Sequence, residues 1–227
     1  MKAEEVIALA ILPDDVAAGI AYARQSLRYT FDRMRYGANP ERRFGNIAVG
    51  KMCEATLLRF LRQHGVPHLS REGATPHTQP DKFDLRVLNE IVDLKTFRAP
   101  PNAARSESLL RCLALIPFQH DKDQWCHRKK YQRFIFGFFN GEFRGRSHPE
   151  NNAFDPQAFV VMRTPAIFYV TAAPALEECE AKFMEVPADT KCLQYPNGTR
   201  IRNMGCAIGA LTSFQNFLEN VEKFCRR

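Results

Sequence analysis

The chain has 227 residues, 45% of them hydrophobic and 25% charged, and carries a net charge of +7. This is the composition of a folded protein with one sizeable core, which excludes wholesale disorder and makes a single domain over 1–227 the expectation. Apolar runs such as 135–139 are too short to cross a bilayer, so no membrane partner is expected. The basic excess suits a polyanionic partner, because each Lys or Arg placed on a phosphate releases a condensed counterion.

The first residues, with Glu4 and Glu5 ahead of the apolar stretch 6–12, lack the basic start and cleavage site of a secretory leader. A cytoplasmic location is the expectation. Pro13, Asp14 and Asp15 suit the first turn of a helix, where Pro fits and acids meet the positive helix end. Val16, Ile20, Leu27, Phe31 and Met34 then recur at helical spacing, so a helix is predicted over 14–37. Arg24, Arg28, Arg33 and Arg35 flank it and Arg42 and Arg43 follow, as either a solvated face or a phosphate-binding one.

A second helix is predicted from about 45 to 64, ending at Gly65, and extended segments at 66–71, 83–88 and 91–97. Pro100, Pro101 and Asn102 mark 98–108 as a loop. A short helical piece at 108–116 and a polar stretch at 120–130 lead to a strand at 133–140. Beyond a basic loop at 144–157, a strand is predicted at 166–171, a short helix at 174–183 and a closing amphipathic helix at 207–224. The seven cysteines are scattered, with neither a C-x-x-C pair nor zinc spacing, and are expected as buried free thiols.

The segment 83–97 carries the chemistry. Two β-forming runs flank Asn89 and Glu90, which reads as a tight hairpin. Opposed residues of an antiparallel pair have a constant index sum and share a face. An even-length loop makes that sum odd, so Asp84 shares a face with Asp93 and Lys95. A loop over Leu88 and Asn89 places Asp84 opposite Asp93; one over Asn89 and Glu90 places it opposite Lys95. An exposed cross-strand ion pair is the plainer reading. Against it, Leu85, Val87, Val92 and Leu94 fill the other face while Phe83, Ile91 and Phe97 suggest cover on both sides. A charged trio inside a covered sheet needs partners to offset desolvation.

The second helix adds a fourth residue. At about 100° per residue, Ile47, Gly50, Leu57, Leu58 and Leu61 form a stripe with Glu54 in its middle. Buried acids are costly, so Glu54 is expected either as a metal ligand or as the partner of a buried Lys or Arg. Oxygen ligands at Glu54, Asp84 and Asp93 suit Mg²⁺, with Mn²⁺ as an alternative. Lys95 would then orient or deprotonate the attacking water and offset charge in the transition state.

Gly50-x-x-x-Glu54 on a helix, then Asp84, then Asp93-x-Lys95, resembles the PD-(D/E)xK superfamily of restriction-endonuclease-like nucleases. The resemblance spans about 45–140, with 133–140 as the later core strand. It implies an α/β fold with a restriction-endonuclease-like core, a central mixed β-sheet flanked by helices. The N-terminal helix and the C-terminal third would be additions that set substrate choice and dimerisation, so a homodimer is among the expected states. It implies Asp84, Asp93 and Glu54 as metal ligands and Lys95 as the residue serving the water. Two departures stand out: Phe83 precedes Asp84 while Pro80-Asp81 lies upstream, which makes Asp81 a rival, and the second acid is Asp rather than the commoner Glu.

The implied activity is Mg²⁺-dependent hydrolysis of double-stranded DNA by a restriction-type endonuclease. A structure-specific recombination or repair nuclease, and a non-catalytic nucleic-acid-binding protein on the same fold, are the alternatives. Arg42, Arg43, Lys129, Arg144 and Arg146 are the candidate backbone contacts. Gln119, His120, Asp121, Gln124 and Lys129 fall where family members place accessory contacts, although their spacing favours solvated positions. The six histidines form no H-E-x-x-H pattern, and no phosphate-binding glycine loop is present.

Overall fold

The computed structural model describes residues 1–33, 40–69, 83–101, 106–121, 123–144, 161–162 and 165–225. Chain order runs β1 (Ile7–Ala10), α1 (Pro13–Arg33), α2 (Pro40–Gln63), β2 (His68–Leu69), β3 (Leu85–Val87) and β4 (Glu90–Arg98). It continues through α3 (Ser106–Leu110), β5 (Leu113–Pro117), β6 (Arg133–Asn140), β7 (Phe143–Arg144) and β8 (Val161–Met162). The last elements are β9 (Ile167–Ala172), α4 (Leu176–Lys182), β10 (Met184–Val186), β11 (Asn203–Ala207) and α5 (Phe214–Cys225).

Among the described residues, six strands form a mixed sheet in the order β1-β9-β6-β4-β3-β2. Only the β4–β6 pair is parallel; every other neighbouring pair in it is antiparallel. β6 shows why the sheet is central. Its sequence is nearly all apolar, and alternate residues enter different cores: Ile135 and Phe139 one, Phe134, Phe136 and Phe138 the other. Gly137 is required between them, since a Cβ there would lie 2.4 Å from the Phe168 ring of β9.

One face of the sheet is covered by α1, α2 and α5, whose Leu27, Leu57, Leu61 and Phe217 meet Val92, Ile135 and Val170 in a single cluster. The other face is covered by the antiparallel sheet β10-β11-β5 together with α3 and α4, around Leu109, Ile116, Phe136 and Phe183. The chain is therefore α/β with a central mixed sheet and flanking helices. No helix among the described residues is long and apolar enough to cross a membrane.

Several expectations need correction. The stretch 108–116 is not one helix: α3 ends at Leu110, and Leu113–Pro117 is a strand because it pairs along its length with β11. The closing helix is shorter than 207–224; a 3₁₀ turn at Ile208–Ala210 precedes α5. α2 starts at Pro40 rather than near 45, with proline at the position where its missing N–H costs nothing. α1 covers Pro13–Arg33, and the rest of the predicted 14–37 helix lies outside the described residues. The sheet is wider than the four segments expected between 66 and 140, since β1 and β9 extend it past β6. Of the cysteines, Cys53, Cys112 and Cys179 are buried free thiols as expected, but Cys126 is exposed.

Candidate active site

The β3–β4 hairpin turns over Leu88 and Asn89, with Leu88 in the left-handed region at φ 51°. The register pairs Leu85 with Val92, Arg86 with Ile91 and Val87 with Glu90. Carried one step further, it sets Asp84 opposite Asp93, the first of the two arrangements that parity allowed. Among the described residues pairing with β3 stops there: Asp84 is in a bend, while β4 runs on to Arg98 paired with β6. Leu94, just past the last pair, donates its N–H to Asp84 Oδ2 at 2.6 Å instead of to a strand neighbour. Among the described residues a carboxylate thus ends the ladder, and residues from both faces of β4 border one space.

Asp93 and Lys95 point to the face away from α2. Asp93 is 3% exposed, and its Oδ2 accepts the Lys95 ammonium. Its Oδ1 accepts the Gln124 amide at 3.2 Å. Burial pushes the Lys95 ammonium down to about 8, with the Asp84 charge opposing and Lys130 assisting. Gln124 also reaches the Tyr131 hydroxyl, which burial and the Asp84 charge hold up at about 12. Asp84, Asp93, Lys95, Gln124 and Tyr131 thus form one polar network behind the hairpin.

Glu54 approaches from α2. Its place in the middle of the buried stripe is not what the structure shows: Met52, Cys53, Leu57 and Leu61 line the buried face, and Glu54 lies at its edge. Its side chain is 16% exposed, and its Oε2 accepts the Lys51 ammonium at 2.7 Å. The lysine it pairs with is itself partly exposed rather than buried, and Glu54 still opens toward the hairpin. A cleft of about 330 Å³ is bordered by Glu54 and Gly50 of α2, by Asp84, and by Leu94, Lys95 and Thr96 of β4.

The structure brings Glu54, Asp84 and Lys95 to this cleft and sets Asp93 behind Lys95. Among the described residues, no three His, Cys, Asp or Glu side chains stand together as a metal-holding group. The three-carboxylate set expected from sequence is thus divided, with two acids on the cleft and one committed to Lys95. The donor chemistry still fits Mg²⁺, which keeps most of its waters and takes one or two carboxylates plus phosphate oxygens.

Of the candidate backbone contacts, Arg42 is exposed and Arg43 half-buried on the first turns of α2, and Lys129 is exposed in the 3₁₀ turn Arg128–Lys130. The Arg144 side chain, all of Arg146 and the rival Asp81 lie outside the described residues. Gln124, expected to be solvated, is the clearest reversal, and Tyr131 was missed altogether. Neither residue sits in a periodic pattern, so only its neighbours across the fold could assign it. Comparison with protein-family models, with curated proteins and with solved structures returns no match.

Proposed function

We propose that the chain is a Mg²⁺-dependent endodeoxyribonuclease on a restriction-endonuclease-like core, cleaving double-stranded DNA. One observation carries the reading: Asp84, Lys95 and Glu54, named from sequence spacing, open into one cleft where β3 leaves β4. Asp84 and Glu54 would hold the cation, which supplies Lewis-acid charge to the phosphoryl group. The Leu94 N–H fixes the Asp84 carboxylate, and Lys51 steadies Glu54. Lys95, held by Asp93, would orient the water and offset the negative charge that builds on the phosphoryl oxygens as the water oxygen bonds to phosphorus and the bond to the leaving sugar oxygen breaks, the water's proton passing to solvent and the departing oxygen taking one up. Gln124 positions Asp93 and so acts through Lys95.

A non-catalytic nucleic-acid-binding protein is the second reading, favoured by the commitment of Asp93 to Lys95 and Gln124. Turnover separates the two. Purified protein with supercoiled plasmid should give nicked and linear products in Mg²⁺ and none in EDTA, and Glu54→Gln should lower Mg²⁺ affinity by calorimetry. DNA binding without cleavage at any Mg²⁺ or Mn²⁺ concentration would select the second reading.

A further inference from the structure

Gly50 lies in the interior of the 24-residue helix α2, where glycine is among the least favourable residues because it gives up the most backbone freedom. Three other glycines in regular elements have steric reasons, among them Gly205 of β11, where a Cβ would lie 2.2 Å from the Ala114 carbonyl oxygen. A Cβ on Gly19 would lie 2.5 Å from the Ala48 carbonyl oxygen, where α1 crosses α2, and Gly137 meets the Phe168 ring. Gly50 has no such reason: a Cβ there would meet nothing within 4 Å, and its backbone is helical. Neither packing nor backbone conformation accounts for the missing side chain.

What the missing side chain leaves is space in the cleft wall. Asn46, Gly50 and Glu54 are four residues apart, so they are neighbours along one ridge of the helix. Gly50 is the notch in that ridge, with the Asn46 amide on one side and the Glu54 carboxylate on the other. Asn46 is exposed, and Tyr22 of α1 completes this wall with the Lys51 ammonium 4.6 Å above its ring. The notch therefore combines an open floor, an amide, an ammonium and an aromatic ring, and it leads directly to Glu54. A cation and an amide are the groups that hold a sugar-phosphate backbone by its phosphates, and the ring keeps that cation in place.

Resting on the nuclease reading, we infer that the notch at Gly50 is the subsite for the strand being cut. Asn46 and Lys51 bind the phosphate next to the reacting one, Tyr22 holds Lys51 in place, and the bare helix surface lets the backbone approach α2 closely. A longer side chain at 50 fills the subsite without disturbing the fold, because the space it enters is open.

The test uses the full chain and a fluorescent DNA duplex of about 20 base pairs in Ca²⁺, with cleavage in Mg²⁺ followed separately. Gly50→Ala should raise Tm by about 2–4 °C, as expected for a helix-interior glycine replaced in open space. Gly50→Met should keep at least the parent Tm yet weaken duplex binding at least about tenfold, raising KM with little change in kcat. Asn46→Ala should weaken binding in the same direction. A folded Gly50→Met protein that binds the duplex within about twofold of the parent overturns the inference, and so does a fall in Tm for Gly50→Ala, which would show that the space is not open. Failure of the parent itself to bind the duplex would instead sink the nuclease reading, before any variant is compared.

Discussion

Replacing Lys95 by alanine tests the site through stability as well as turnover. The Lys95 and Asp93 side chains are 12% and 4% exposed, so the ion pair is taken almost entirely out of water. Among the described residues, removing the lysine leaves the Asp93 charge with the Gln124 amide at 3.2 Å as its side-chain partner. Breaking one side of a buried pair costs about 3–5 kcal/mol, most of it the penalty of the stranded charge. With a urea m-value of about 2–3 kcal/mol per molar, the unfolding midpoint should fall by roughly 1–2 M. The double variant Asp93→Asn, Lys95→Met has no charge to strand and should recover most of that loss. Cleavage, measured where the single variant is still folded, should fall by far more than tenfold. A midpoint within about 0.3 M of the parent would refute the buried pair, and a double variant as unstable as the single would refute the stranded charge as the cause. Retention of more than a tenth of the rate means that less than ~1.4 kcal/mol of barrier was lost, and Lys95 would not be catalytic.

Asp84→Asn should abolish cleavage while keeping the fold, since an amide oxygen can still accept the Leu94 N–H, and Asp81→Asn should remain active; the opposite pattern in a plasmid assay would move the metal ligand upstream. Glu178 is pulled up by burial, but hydrogen bonds from Lys182 and Thr212 outweigh this and hold it below 4.5. The stabilisation it gives is therefore fully present above that value and lost as pH falls through the lowered one. Melting curves should show Glu178→Gln less stable than the parent near neutrality, with the gap closing in acid; a gap independent of pH would refute the assignment. Duplex affinity in Ca²⁺ should fall with salt at a log–log slope near −4 to −5 if about five basic side chains meet phosphates. A flat dependence would remove Arg42, Arg43 and Lys129 as phosphate contacts.

Parity within the hairpin was legible in the sequence because it is local. Side chains alternate with period two, so a two-residue loop commits Asp84, Asp93 and Lys95 to one face whatever surrounds them. The span of β6 was legible for a similar reason: a strand covered on both faces reads as an unbroken apolar run. Distant pairing was not. Leu113–Pro117 suits a helix or a strand by itself and becomes a strand only by bonding to β11, some ninety residues on. The side of α2 that Glu54 occupies was equally hidden. Ala48, Val49, Met52, Cys53, Leu57, Phe60 and Leu61 are all buried, so apolar residues occupy much of the helix circumference and no stripe has a unique centre. The sheet and the crossing with α1 decide which residues go under, and they leave Glu54 at the edge, facing the cleft. Gln124 follows the same logic. A glutamine in an aperiodic turn carries no direction of its own, and it acquires one only where the fold carries that turn to the buried Asp93 carboxylate.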